Sequence, residues 1–507
     1  MFAVTANEEY GPKPHNYTIL QAFEWYSEGG GKHWKSLQGQ ISRLAEMGIT
    51  ALWLPPVTKA YSKDSVGYDI YDLWDLGEFD QKAARPTKYG TKEDLLALLQ
   101  ETNDYGLVCY IDAVLNHKFG ADRTERFEAM PVRRDNRLED IPPSRVIEGY
   151  TGFDFPGRNG KYSTMKWGYD DFTGVDHDKI TGWDGIFRVM GPNKGWAWAV
   201  DSENRNYDFL MGADLDQSNP DVAKDLFDWG TWVVQETGHV GFRFDAIKHI
   251  DENFMAKFVA HIRENSGKDK LFCVGDLESL NAYLDRLGQQ FSVFDTPLHY
   301  NFKEASDRGE NFDLRRIWDG SLVSNRPVDA VTLVDNHDTQ IGQSLQSWVQ
   351  PWFKPLAYAM ILLRPAGYPC VFWGDLYGCR AGNDDNIPNN PPAQPAITQL
   401  GDIIKARKLF SYGELKPEND YWDYATCVGW VRTGDQDHDG CAVVLSNGTM
   451  GGCEHAGEQW IDLLGWTPGE ITVGDDGKAE FRCPSKSIAI WISKNARGCE
   501  EFTDRLN

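Results

Sequence analysis

Eight short apolar runs recur along the first 375 residues of this chain, most of them separated by segments of helical periodicity. They are TILQAFEW (18–25), ALWLPPV (51–57), LVCYIDAVLNH (107–117), GFRFDA (241–246), LFCVGD (271–276), SVFDTPLH (292–299), AVTLVDNHD (330–338) and YPCVFWGD (368–375). Between the first two, Trp34, Leu37, Ile41 and Leu44 repeat at the spacing of one helix face across residues 33–49. TKEDLLALLQETNDYG (91–106) offers Thr91 as an N-cap with Asp94 three residues on. NPDVAKDLFDWGTWVVQETG (219–238) begins with Asn219 as cap and Pro220 in the first turn. Strands that alternate with helices pair in parallel through crossovers, and eight of them fit a (β/α)8 TIM barrel. Such a barrel gathers the carboxyl ends of its strands into one mouth, so residues late in each strand meet there.

Two segments break the alternation. Residues 118–215 are rich in Gly, Asp, Trp and Tyr and lack long helical periodicity, which marks an insertion domain after strand 3. Residues 405–507 hold short runs such as CVGWVRTG, CAVVLSNG and SIAIWISK between Gly, Asp and Asn turns, the pattern of a C-terminal all-β sandwich domain. The barrel is thus expected from residues 1–117 and 216–404. The net charge of −25, without a basic stripe, argues against a nucleic-acid or anionic-membrane partner. No run of about 18 apolar residues suggests a membrane span. The opening MFAVTANEEYGPKPHNYT has no basic start followed by an apolar run, and the nine cysteines are an odd number without metal-site spacing. Together these predict a cytoplasmic location with unpaired thiols. The 19 Trp, 21 Tyr and 25 Phe fit a large core, but flat rings also serve sugar binders, because the C–H faces of a pyranose pack on them.

GFRFDAIKHI (241–250) starts as a buried strand and then places Arg243, Asp245, Lys248 and His249 among its apolar residues. A half-buried strand with one wet face would explain them singly. Strand ends at a barrel mouth explain them together. Acidic strand ends recur at Asp112, followed by Asn116 and His117, and at Asp338, preceded by His337. Taken alone, Asp338 reads as a turn residue or cap, Asp112 as a carboxylate bonding nearby backbone N–H groups, and the histidines as core residues. The ordered set favours chemistry. With no phosphate loop or nicotinamide fingerprint, acids and aromatics at a barrel mouth point to glycoside cleavage. Asp245 is the candidate nucleophile, and Arg243, two residues back on the same face, keeps it ionised.

DAVLNH, GFRFDAIKH and VDNHD, in that order, resemble the signature regions of the α-amylase family of glycoside hydrolases. GYDIYDLWDLGEF (67–79), YDFLMGADLD (207–216) and PCVFWGDLYG (369–378) extend the resemblance from about residue 16 to the C-terminus. By position, Asp245 resembles the nucleophile, Arg243 its ion-pair partner and Asp338 the third acid, which holds sugar hydroxyls at the cleavage point. His117 and His337 resemble histidines that bind that sugar, Tyr68 its stacking platform, and Lys248 and His249 contacts on the acceptor side. The family also binds Ca2+ between barrel and insertion. Asn116, Asp208 and Asp214 match its ligands, with the His249 backbone carbonyl a further oxygen. Two positions that hold aspartates for extra metals in related bacterial enzymes are Thr173 and Ala197 here, which implies one calcium.

Strand five departs from the family. The general acid/base there is a Glu, whereas this chain reads LFCVGDLESLNAYL, roughly four residues short after Gly275. Asp276 takes the vacated place, with Glu278 two residues on. Three readings stay open: Asp276 or Glu278 substitutes for the acid, the chain is a glucan-binding pseudoenzyme, or the sequence carries a local error. The resemblance implies a retaining α-glucan hydrolase acting on α-1,4 bonds of starch, glycogen or maltooligosaccharides, expected as a monomer. A 4-α-glucanotransferase is the alternative, since water and a sugar hydroxyl compete for one glycosyl-enzyme.

Overall fold

Eight parallel strands form a closed barrel in which every strand lies beside its sequence neighbours. They are β1 (Ile19–Gln21), β2 (Ala51–Leu54), β3 (Val108–Ala113), β4 (Gly241–Phe244), β5 (Cys273–Gly275), β6 (Ser292–Phe294), β7 (Ala330–Leu333) and β8 (Tyr368–Phe372). The order runs β1-β8-β7-β6-β5-β4-β3-β2 and closes on itself. This computed structural model describes residues 16–238, 241–268, 271–275, 283–285, 291–382, 390–448, 451–453, 459–474 and 479–502. The chain packs as two compact units, one of Glu28–Ile41 with Trp53–Val293, the other of Met1–Ser27, Ser42–Leu52 and Phe294–Asn507.

Each strand is shorter than the apolar run that announces it. Pro55 and Pro56 follow the end of β2, where missing N–H groups stop a ladder. In SVFDTPLH only Ser292–Phe294 is strand; Asp295 then accepts from Leu298 N at 3.2 Å and caps a helix over Thr296–Arg308. The single helix expected over 33–49 is two, His33–Gln38 and Ile41–Met47, parted at Gly39. The four apolar positions that suggested it are all buried. The two other helices start as their caps predict. Thr91 accepts from Asp94 N at 3.2 Å ahead of Lys92–Asp104, and Asn219 from Asp221 N at 3.0 Å ahead of Pro220–Thr237.

In the first unit the residues after β3 build a six-stranded sheet, ordered His117–Lys118, Ala213–Leu215, Phe172–Asp178, Trp183–Val189, Arg123–Val132 and Arg145–Gly152. Its first two strands pair antiparallel with Asp214 opposite His117, which brings residues 97 positions apart beside the end of β3. In the second unit a six-stranded sheet spans residues 420–493, with a two-stranded ribbon of Gly451–Cys453 and Phe481–Cys483. Val431, Ala442, Val444, Phe481, Ala489 and Trp491 form its core.

Candidate active site

β3 and β4 pair so that Arg243 stands opposite Asp112 and Phe244 opposite Ala113. Past that register Asp245 N still donates to Ala113 O at 3.0 Å, which holds Asp245 at the strand's end. Arg243 Nη1 donates to Asp245 Oδ1 at 2.7 Å and to both carboxylate oxygens of Asp112 at 3.0 Å. Asp112 also accepts from Trp53 Nε1 at 3.0 Å and from the Tyr68 hydroxyl at 2.8 Å. The guanidinium lies 5.1 Å from the Trp53 ring and 5.8 Å from that of Tyr68. Arg243 and Asp112 are buried, whereas the Asp245 side chain keeps 15% of its surface exposed. Burial pushes the Asp112 carboxyl up to about 6; Arg243 pulls it down and Asp245 pushes it further up. The result is a partly exposed carboxylate backed by a buried cation.

The chain turns sharply after Asp245. Ala246 adopts a left-handed conformation at φ 53°, a costly choice for a residue with a Cβ. That turn leads Lys248 and His249 out of the strand direction into a short 3₁₀ turn. His249 Nδ1 meets the Tyr207 carbonyl at 2.6 Å, with the two rings edge to face at 4.2 Å. Burial drives the His249 imidazole down to about 3, so it is neutral. Lys248 Nζ is 3.4 Å from Glu203 Oε2 and 5.1 Å from the Tyr207 ring. His117 is also buried, and burial lowers its pKa. Its Nε2 meets Tyr68 O at 2.8 Å, so the imidazole fixes the backbone of the residue whose phenol reaches Asp112.

In the other unit the end of β7 carries His337 and Asp338. Asn336 Oδ1 accepts from the backbone N–H of Asp338 and of Thr339, both at 2.9 Å, a local turn that presents the Asp338 carboxylate half-exposed. His337 Nδ1 meets Gln21 Nε2 at 2.9 Å, and its Nε2 lies 3.4 Å from Asp338 Oδ2. Trp25 stacks parallel to the imidazole with centroids 6.1 Å apart. Asp276 and Glu278 lie outside the described residues. Gly275, just before them in sequence, stands opposite Phe244 in the ladder, and a Cβ there would come within 2.2 Å of Ile247.

Beside the end of β3 lie the oxygens suited to a cation. Asp208 and Asp214 are both fully buried. Burial raises both carboxyls, Asp208 to about 7, and Asp208 pushes Asp214 up further. Asn116 Nδ2 donates to Asp214 Oδ1 at 3.1 Å, while Asn116 Oδ1 is buried without a hydrogen-bond donor. Thr173 Oγ1 donates to Asp214 Oδ2 at 2.5 Å, and Ala197 N to Asp208 Oδ2 at 3.0 Å. An orphaned amide oxygen beside two buried carboxylates is a hard-oxygen donor set that lacks positive charge, and it fits a cation such as Ca2+. Among the described residues no three His, Cys, Asp or Glu side chains converge as metal ligands. The candidate set is instead two carboxylates, one amide and a backbone carbonyl. Next to it Lys194 Nζ pairs with Asp216 at 2.6 Å, both nearly buried.

The model of the alpha amylase catalytic domain matches residues 24–462. Alpha-amylase from Bacillus licheniformis is 43% identical over 94% of this chain and 94% of its own length. The cytoplasmic alpha-amylase of Escherichia coli (strain K12) is 39% identical over 94% of this chain and 99% of its own. The chain belongs to the alpha-amylase family. It is an α-amylase-type glycoside hydrolase acting on glucan. Among solved structures, an alpha-amylase from Geobacillus thermoleovorans complexed with acarbose superposes with a TM-score of 0.61 at 17% identity, covering 94% of this chain and 99% of that one, which bears on the fold alone.

Some participants in this candidate site were hidden in the sequence. Among the described residues Asp112 takes no backbone N–H donor; its donors are the side chains of Trp53, Tyr68 and Arg243. Trp53 follows from no motif, because its only sequence signal is membership of an apolar strand. Tyr207 is the residue whose carbonyl and ring hold His249, from an insertion loop 42 positions away.

Proposed function

We propose that this chain cleaves internal α-1,4-glucosidic bonds with retention, through a glycosyl ester on Asp245. Asp245 attacks the anomeric carbon, the bond from that carbon to the leaving oxygen breaks, and the oxygen takes a proton from an acid. Water then attacks the anomeric carbon, gives up its proton and frees the Asp245 carboxylate. The carrying observation is the contact of Arg243 Nη1 with Asp245 Oδ1 at 2.7 Å, behind a carboxylate that is itself accessible. A carboxylate so held is fixed in position for attack.

Asp338 is the third acid of this reading, binding sugar hydroxyls, and its contact with His337 orients it. Tyr68, His117, Lys248 and His249 line the sugar path. Asp276 and Glu278, which follow β5 in sequence, are the candidates for the acid that supplies the proton. Asn116, Asp208, Asp214 and the His249 carbonyl hold one Ca2+, which when bound supplies positive charge to the two buried carboxylates. The orphaned Asn116 Oδ1 supports that reading. Residues 1–117 and 216–404 act as the catalytic barrel, 118–215 as the insertion and 405–507 as the β domain. The protein works as a cytoplasmic monomer, a location supported by the cytoplasmic relative from Escherichia coli.

Product analysis on maltoheptaose tests the reaction. Shorter oligosaccharides whose new reducing ends appear first as the α-anomer, followed by proton NMR, are the expected result. A β-anomer would overturn retention, and products longer than the substrate would mark glucanotransfer.

A further inference from the structure

Two thiols meet where the six-stranded sheet and the ribbon of the second unit come together. Cys427 opens the strand Cys427–Arg432 of that sheet and stands opposite Ser446. Cys483 closes the strand Phe481–Cys483 of the ribbon and stands opposite Gly451. The ribbon lies against the sheet. Phe481 and Cys483 share one core with Val431, Ala442, Val444 and Trp491, and Cys427 packs against that core. Across this junction the two thiols are hydrogen-bonded to each other. Cys483 is fully buried, whereas Cys427 is half-buried and keeps part of its surface in solvent.

Reactivity separates Cys427 from the other cysteines. The thiolate, not the thiol, is the nucleophile in disulfide exchange. The hydrogen bond with Cys483 holds the Cys427 thiol below its ordinary value, against an opposing push from burial. Elsewhere burial acts alone or dominates. It pushes Cys109, Cys370 and Cys441 up to about 12 and Cys273 up to about 11, and it raises Cys379 and Cys499 as well. Such thiols are poor nucleophiles near neutral pH. Cys427 joins solvent access and thiolate character to a second sulfur within reach, the arrangement of a redox-responsive cysteine with a resolving partner.

We propose that Cys427 and Cys483 form a reversible covalent site, which closes as a disulfide by exchange with a small-molecule disulfide such as oxidised glutathione. The Cys427 thiolate attacks one sulfur of the small disulfide, forms a mixed disulfide and expels one small thiolate. Cys483 then gives up its proton, and its sulfur attacks Cys427 Sγ and expels the second. Two protein thiols are oxidised, and one small disulfide is reduced to two thiols. The new bond staples the ribbon to the sheet. It also constrains the unfolded chain between residues 427 and 483, so the oxidised protein is the more stable form. Under reducing conditions the pair stays open.

The test uses the full chain, reduced, freed of reductant and incubated with oxidised glutathione. Peptide mapping is expected to show a peptide bearing Cys427 joined to one bearing Cys483, and dithiothreitol to separate them again. Cys483→Ser is expected to stop at the mixed disulfide, with one glutathione held on Cys427. Cys427→Ser is expected to abolish the cross-link. The oxidised protein is expected to melt at a higher temperature than the reduced one. Retention of both thiols, a bond from either to another cysteine, or a lasting glutathione adduct on Cys427 of the unaltered protein overturns the site. A bond that forms without raising the melting temperature overturns the staple.

Discussion

Arg243 and Asp112 are register partners on adjacent barrel strands, and one guanidinium nitrogen reaches both Asp112 oxygens at 3.0 Å and Asp245 Oδ1 at 2.7 Å. One buried cation therefore serves two carboxylates, of which only Asp245 faces solvent. The carboxylate behind it completes the cage: indole, phenol and guanidinium all donate to Asp112, which leaves Arg243 fixed and its charge directed at Asp245.

The pH dependence of stability tests this arrangement. The folded-state pKa of Asp112, about 6, lies above the ordinary 3.8. Its contribution to stability is therefore complete below the ordinary value and is lost as pH rises through about 6. Asp112→Asn carries no such proton. The unfolding free energy of wild type minus that of the variant should fall by roughly 2 kcal/mol between pH 4 and 7. Urea unfolding at four pH values in that range measures it. A flat difference would mean Asp112 is ionised throughout.

Asp245→Asn should lower release of reducing ends from starch roughly 10⁴-fold or more, the scale expected when a covalent nucleophile is lost. Asn keeps the shape of the side chain and an oxygen that can still accept from Arg243 Nη1, so the melting temperature should hold. Wild-type turnover in this variant would end the proposed mechanism.

Removal of Ca2+ by a chelator should lower the melting temperature, and added Ca2+ should restore it. A ligand bound only by the folded state at 100 times its Kd stabilises by about 2.7 kcal/mol. Asp214→Asn should abolish the response to Ca2+, because Asp214 is one of the two buried carboxylates beside Asn116. A metal-free protein with an unchanged melting curve in chelator would remove the site.

Much of the fold was legible in the sequence for a simple reason. Barrel strands are short apolar runs, and everything at their carboxyl ends meets, so the i, i+2 spacing of Arg243 and Asp245 on one strand was enough to pair them. Boundaries were less legible where a local signal cut a run, as Asp295 does by capping a helix inside SVFDTPLH. The partners of Asp112 were not legible at all. Trp53, Tyr68 and Arg243 come from 59, 44 and 131 positions away, and only the closed strand order brings them together.

The end of β5 sets the last test. The family resemblance implies a Glu where this chain has Asp276, one methylene shorter, and a proton donor misplaced by about 1 Å can cost about 100-fold. General acid catalysis contributes about 10²–10⁴-fold, and matters most for a poor leaving group such as a sugar hydroxyl. Fluoride leaves with little protonation and should still glycosylate Asp245. If the acid is deficient, α-maltosyl fluoride should be turned over far faster than starch. Inserting a Glu-containing four-residue segment after Gly275 should then raise the starch rate selectively and leave the fluoride rate nearly constant. If Asp276 or Glu278 is a working substitute, Asp276→Asn or Glu278→Gln should depress starch cleavage and spare the fluoride. Should the unmodified protein degrade starch at a rate that the insertion cannot improve and neither substitution lowers, the proton comes from some other group at the barrel mouth.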